Sequence, residues 1–195
     1  MTAAQPPRRM IVGISGATGI VYGVRLLEML RTEGVETHLV VSKAGHLTRE
    51  YETDLSAKDL AALADHNYHP ADFAAAIASG SFRTMGMIIA PCSVKTLSEI
   101  ACGATSSLLT RAADVCLKER RRVVLLLRET PLHAGHIRSM LAVTEMGGVL
   151  MPPVPAFYNN PRSIADLVDF TVARSLDLFD IAVPGIPRWG EPQTE

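Results

Sequence analysis

A chain of 195 residues is long enough for one domain with a full core and short for two. Its net charge of −1 gives no general field to attract nucleic acid or anionic lipid. With 48% hydrophobic, 20% charged and 5% aromatic residues, the composition is globular and nucleobase stacking is a poor lead. No apolar run approaches the roughly 20 residues that span a bilayer, so no membrane partner is expected. The three cysteines, Cys92, Cys102 and Cys116, have no CxxC spacing. With no secretory signal, they point to a reduced, cytoplasmic protein. Residues 1–8 are polar and Pro-containing and are expected to be flexible.

The first strand is expected at Met10–Ile14, entering the turn Gly13-Ile14-Ser15-Gly16-Ala17-Thr18-Gly19, with a helix at Ile20–Thr32. This is the pattern of a phosphate-binding strand–turn–helix. A second strand follows at Thr37–Ser42, then helices at His46–Tyr51 and Ala57–Ala64. Next come a strand at Met85–Ala90 and helices at Val94–Ala101 and Ser106–Glu119. The helix end "KERRR", Lys118 to Arg122, reads as a solvated cluster that suits the helix dipole. Strands at Val123–Leu127 and Val149–Met151 flank a helix at His133–Glu145. The Pro-rich "PPVPAFYNNP" then leads to a helix at Ile164–Phe179, and the tail after Asp180 carries the only tryptophan, Trp189. The strands are Val-, Ile- and Leu-rich without polar alternation, as parallel strands covered on both faces are. The chain is therefore expected to form a single α/β domain, residues 1–195. A doubly wound parallel sheet lies between two helical layers.

Ligands bind such sheets beyond the carboxyl ends of the strands. The residues there are "SGATG", "SKAG", "PCSVKT", "RETP" and "PPVPAFY". A nicotinamide dinucleotide fits poorly. It wants an acidic residue after the second strand, where Ser42-Lys43 stand, and no tyrosine is followed four residues on by lysine. What remains is a compact anion site. The helix end after the first turn can hold a phosphate, and "PCSVKT" offers a second end, with Ser93 as cap and Lys95 or Thr96 as donors. Both ends, or one alone, can serve. Ser93 can equally be a cap and nothing more.

The motifs "VGISGATG", "THLVVSKAG", "APCSVKTLSEIACG", "LLTRAADVCLKERR", "LLLRETPLH", "MPPVPAFYNNP" and "PRWGE" occur in this order. Together, from about Arg9 to Glu191, they resemble the UbiX/Pad family of flavin prenyltransferases. The resemblance implies a flavodoxin-like Rossmann fold, a homo-oligomer of dodecamer size, FMN and no metal. It implies transfer of a dimethylallyl group from dimethylallyl phosphate to reduced FMN, and delivery of the prenylated flavin to a UbiD-type decarboxylase, in ubiquinone synthesis or aromatic acid breakdown. It assigns FMN contacts to Gly16, Ala17, Thr18, Ser42, Ser93, Val94, Lys95, Thr96, Arg111 and Arg128. It assigns the prenyl phosphate to Lys118, Tyr158 and Arg174. Glu52 and Glu129 become the acid–base carboxylates, Thr18 supplies a hydroxyl near the reacting flavin, and Trp189 closes over the prenyl group. Residues 180–195 are expected to pack on a neighbouring subunit. Ser106-Ser107 depart from the Asp-Asn pair common in the family, and "HAGHIRSML" carries basic residues where relatives have Glu and Asn.

The chemistry suits these residue types. Lys118 and Arg174 can meet the departing phosphate, arginine bidentately, and an aromatic face such as Trp189 stabilises an allyl cation. A carboxylate, or the phosphate itself, can take the proton lost on ring closure. Plainer readings stand beside these. Tyr158 and Trp189 can be packing groups, Glu52 a solvated charge, and Arg111, Asp114 and Lys118 a surface ladder on one helix face. His133 and His136 share a helical spacing but have no obvious third metal ligand. Cys92 reads as a packing thiol. Two alternatives remain on the same fold: an FMN-dependent cysteine decarboxylase and a non-catalytic flavin carrier of a decarboxylase.

Overall fold

The computed structural model describes residues 8–186 and 190. Its six strands are β1 (Arg9–Ile14), β2 (Glu36–Val41), β3 (His66–Tyr68), β4 (Gly86–Cys92), β5 (Arg122–Leu127) and β6 (Val149–Leu150). All pair in parallel in the order β3-β2-β1-β4-β5-β6. The helices are α1 (Ile20–Thr32), α2 (Lys43–Glu52), α3 (Ala57–Ala62), α4 (Val94–Ala101), α5 (Leu108–Lys118), α6 (Ala134–Glu145) and α7 (Ile164–Asp177). Strand order reverses between β1 and β4, which opens a crevice past their carboxyl ends.

Two cores explain the lack of polar alternation. Met10, Val12 and Ile14 of β1 pack with α1 and α7, while Ile11 packs with α4 and α5 on the other face. Each fully buried Val, Leu or Ile contributes about 1.5–3 kcal/mol. Arg25 on α1 ties α7 down through Asp169, at 2.6 and 3.0 Å.

The five expected strands are present, and the doubly wound parallel sheet is the observed fold. The sixth strand, β3, had no apolar signal, because "HNY" is a three-residue edge strand with two exposed residues. Asp65 sets it beside β2 by accepting from the Thr37 N–H at 2.7 Å and hydroxyl at 2.9 Å. Helix starts moved to their caps. Ser42 accepts from Gly45 N–H at 3.0 Å, so α2 begins at Lys43 rather than His46. Ser107 caps α5, which begins at Leu108 rather than Ser106, and His133 caps α6 rather than opening it. Strand β4 runs on past Ala90 because its register shifts between Ile89 and Cys92, where Pro91 removes no ladder donor.

Candidate functional site

The turn after β1 and the turn after β4 are joined by one buried hydroxyl. Ser15 is fully buried. Its Oγ donates to the Pro91 carbonyl at 3.0 Å and accepts from Ser93 N–H at 2.8 Å, while its own N–H donates to the same carbonyl at 3.1 Å. The two loops flanking the switch point are thus held at one separation. Sequence reading absorbed Ser15 into a Gly-rich pattern and missed it. A serine between the strand and the tight turn was the available signal.

A cleft of about 480 Å³ opens there, in the size range of cofactor sites. Gly16, Ser42, Ser93, Lys95 and Thr96 all line it, so five of the ten residues expected to bind flavin converge. Two serine-capped helix ends, those of α2 and α4, open on this space, and their first-turn amides have no intrahelical partner. Ser93 Oγ donates to Thr96 Oγ1 at 3.2 Å and accepts from Thr96 N–H at 3.3 Å. Gly16 is required by crowding, since a Cβ there would lie 2.3 Å from Ala44 Cβ. The cleft is also lined by Lys43, Leu47, Pro70, Ala71 and the variable pair Ser106-Ser107. Pro70 and Ala71 belong to no motif and were not expected. Glu99 holds Lys95 at 2.6 Å and Ser106 at 2.9 Å, which makes that wall a fixed polar strip.

One expectation for the first turn is corrected. The start of α1 is not an open phosphate cradle. Gly19, at φ 104°, caps α1 without a side chain, and Glu52 fills the place from the end of α2. Its Oε2 accepts from Gly19 N–H at 2.8 Å and Ile20 N–H at 2.9 Å. A carboxylate suits the positive end of a helix. Glu52 is therefore not a free solvated charge. Ala17 is half-buried and Thr18 exposed on the same turn, outside the cleft lining.

Arg128 and Glu129 follow β5, and the Arg128 N–H donates to the Cys92 carbonyl at 3.0 Å, so both stand just past the carboxyl end of the sheet. Arg128 is exposed, and Glu129 accepts from Thr130 N–H at 2.9 Å. Val94 begins α4 beside the cleft lining.

Among the described residues, Arg111, Lys118, Tyr158 and Arg174 do not line the cleft within one chain. Helix α5 starts at the cleft wall and runs 11 residues to Lys118, a span of about 16 Å. It delivers Lys118 to the amino end of the sheet, where Arg122 and Gly86 begin their strands. There Lys118 pairs with Glu119. Arg111 binds Asp114 at 2.7 Å and the Ala78 carbonyl at 3.3 Å, so the expected ladder stops at Asp114. Arg174 pairs with Asp177 at 2.5 Å on the last turn of α7. Tyr158 packs edge-to-face on Phe170, 6.0 Å between centroids, and Phe170 lies one turn before Arg174. Trp189 lies outside the described residues.

The two buried thiols are quiet. Burial pushes Cys92 far above its ordinary range and Cys116 to about 11, against the thiolate a nucleophile needs. His46 on α2 is held below its usual value by burial and then by the Arg49 charge. His133 and His136 stack at 3.6 Å, and His133 Nδ1 accepts from Gly135 N–H at 3.0 Å. No helix among the described residues is long and apolar enough to cross a membrane.

Residues 2–176 match the Flavoprotein family. Flavin prenyltransferase UbiX of Escherichia coli (strain K12) is 57% identical over 185 residues, 93% of this chain and 98% of that protein. A crystal structure of AnUbiX (PadA1) in complex with FMN and dimethylallyl pyrophosphate is similar with a TM-score of 0.93 and 50% identity, covering 95% of this chain and 99% of that one. A dodecameric FMN-dependent UbiX-like decarboxylase from Escherichia coli O157:H7 gives a TM-score of 0.91 and 53% identity, covering 94% and 100%. With identity of half or more across nearly the whole of both chains, on the same fold, this chain belongs to the UbiX-type flavin prenyltransferases of the Flavoprotein family.

Proposed function

We propose that this chain joins the dimethylallyl group of dimethylallyl phosphate to reduced FMN, and that a UbiD-type decarboxylase receives the product. The observation that carries the reading is the cleft at the β1–β4 switch, with two serine-capped helix ends. Its donor set fits FMN. The ends of α2 and α4, with Ser42, Ser93, Thr96 and the lysines 43 and 95, suit the phosphate, and Gly16 lets the first turn pack closely against Ala44 at the start of α2. Reduced FMN supplies the ring nitrogen and neighbouring carbon that take up the allyl group.

Lys118 and Arg174 receive the departing phosphate as fixed cations, with the Tyr158 hydroxyl as a further donor. Trp189 offers its face to the cation-like allyl group. Glu129, just past β5, takes the proton released on ring closure. Arg111 and Arg128 steady the flavin side, with the Thr18 hydroxyl on the first turn. Lys118 sits about one α5 length, some 16 Å, from the cleft, so we assign it to a neighbouring chain's site in an oligomer. Exposed apolar side chains support that assembly. Ile137 and Leu141 are one turn apart on α6, and Val154, Phe157 and Ile164 lie around the Pro-rich connection. A dodecamer is the assembly proposed.

The direct test reduces the FMN-loaded protein anaerobically, adds dimethylallyl phosphate or the diphosphate, and weighs the extracted flavin. A flavin one prenyl unit heavier is expected with the monophosphate. An unchanged mass with FMN still bound would favour the carrier reading instead.

Glu52 serves a cap and, we propose, a proton transfer. Glu52→Gln keeps an acceptor for the Gly19 and Ile20 amides, so stability should fall by less than about 1 kcal/mol in thermal melts. Turnover should fall about 100-fold. Unchanged turnover would leave the carboxylate as a cap alone.

A further inference from the structure

Three side chains with metal-ligating atoms meet between β2 and β3. Glu36 and His38 are two apart on β2 and share one face. His66 opens β3 and is the register partner of His38. Glu36 Oε1 lies 3.0 Å from His38 Nε2 and 3.3 Å from His66 Nε2. The three donor atoms all fall within 4.8 Å of one another.

Hydrogen bonding alone can explain a carboxylate between two imidazoles. The surroundings point further. A tetrahedral ion with bonds of about 2.0–2.1 Å needs donor atoms about 3.3 Å apart; Glu36 to His66 has that separation, Glu36 to His38 is 0.3 Å shorter, and the third pair lies within 4.8 Å. His38 is 2% exposed, and its other nitrogen, Nδ1, lies 2.9 Å from the Tyr68 hydroxyl. Such a second contact fixes ring orientation and tautomer in metal-binding histidines. Glu36 Oε2 is held by Arg9 Nε at 3.0 Å, and that guanidinium lies 4.7 Å over the Phe82 ring. Oε1 is thereby turned toward the imidazoles. The His66 side chain is 51% exposed and gives an ion a way in from solvent.

We propose that Glu36, His38 and His66 bind a divalent ion of the zinc class, with water in the fourth position. Two nitrogens and one carboxylate oxygen suit zinc, whereas calcium and magnesium take oxygen donors. The imidazole proton of His38 then sits on Nδ1 and is donated to the Tyr68 oxygen. The Arg9 charge lowers the affinity while it orients the carboxylate. The ion would clamp the short edge strand β3, and with it the segment that follows. That segment includes Pro70 and Ala71 of the cleft wall and the Ala78 carbonyl that holds Arg111.

The test uses full-length, FMN-loaded protein without a histidine tag, titrated with zinc against a chromophoric chelator. One zinc per chain is expected, with a rise in melting temperature. Cobalt(II) should give the intense visible bands of a tetrahedral site. His66→Ala, at an exposed position that leaves the fold intact by circular dichroism, should lower zinc affinity at least about tenfold, and Tyr68→Phe about tenfold. His133→Ala should leave it unchanged. Absence of stoichiometric binding, or affinity that survives His66→Ala and falls with His133→Ala, would overturn the proposal.

Discussion

Lys118→Ala is expected to lower the rate of flavin prenylation by about 100- to 1,000-fold, the usual effect of removing one group that meets developing charge. FMN affinity should stay within about twofold, because Lys118 is proposed to meet the prenyl phosphate and not the flavin, and among the described residues of one chain it pairs with Glu119 away from the cleft. Removing Lys118 leaves only one surface ion pair unmade, worth at most about 1 kcal/mol of stability. The measurements are flavin fluorescence quenching for affinity and mass spectrometry for product. Equal losses in binding and product would mean that Lys118 acts through the flavin site, and the proposed assignment to prenyl phosphate would fall.

The second large effect lies at Ser15. Ser15→Ala removes a hydroxyl that both donates and accepts in a fully buried place. The Ser93 N–H is left without its partner, and the Pro91 carbonyl keeps only the Ser15 amide. An unsatisfied buried group costs about 1–3 kcal/mol, so a total loss of about 2–4 kcal/mol in denaturant unfolding is expected. FMN binding should weaken at least about tenfold, since a shift of the β4 turn moves Ser93 and the start of α4 together. Ser15→Thr, which retains the hydroxyl, should recover part of the affinity if its methyl is accommodated. FMN binding by Ser15→Ala at the native affinity would show that the latch does not set the cleft.

Much of this could be read from residue types. Val123 to Leu127 had to be a covered strand, because five successive apolar residues leave no face for water. Ser93 could be read as a helix cap because it follows an apolar run and precedes a helical period, whereas Ser42 reads as the end of its strand and not as the cap of α2. Short β3 could not be read. Its stability comes from Asp65 binding Thr37 across 28 residues, and pairings of that kind leave no local pattern. Glu52 could be singled out by its motif, yet its partners at Gly19 and Ile20 lie 33 and 32 residues away. The order of the motifs placed Lys118, Tyr158 and Arg174 in one reaction. Periodicity says nothing of which end of a helix faces which ligand, and the α5 geometry separates Lys118 from the cleft.

The carboxylate on the start of α1 also sorts ligands by orientation. Three helix ends approach the crevice, and each alone would attract an anion. Glu52 neutralises one of them from within, so an incoming phosphate meets repulsion at α1 and attraction at α2 and α4. A mononucleotide in the proposed site is then expected to seat its phosphate at α2 and α4 rather than at α1. The glycine-rich turn thus acts as a polarity filter whose counter-ion is part of the chain.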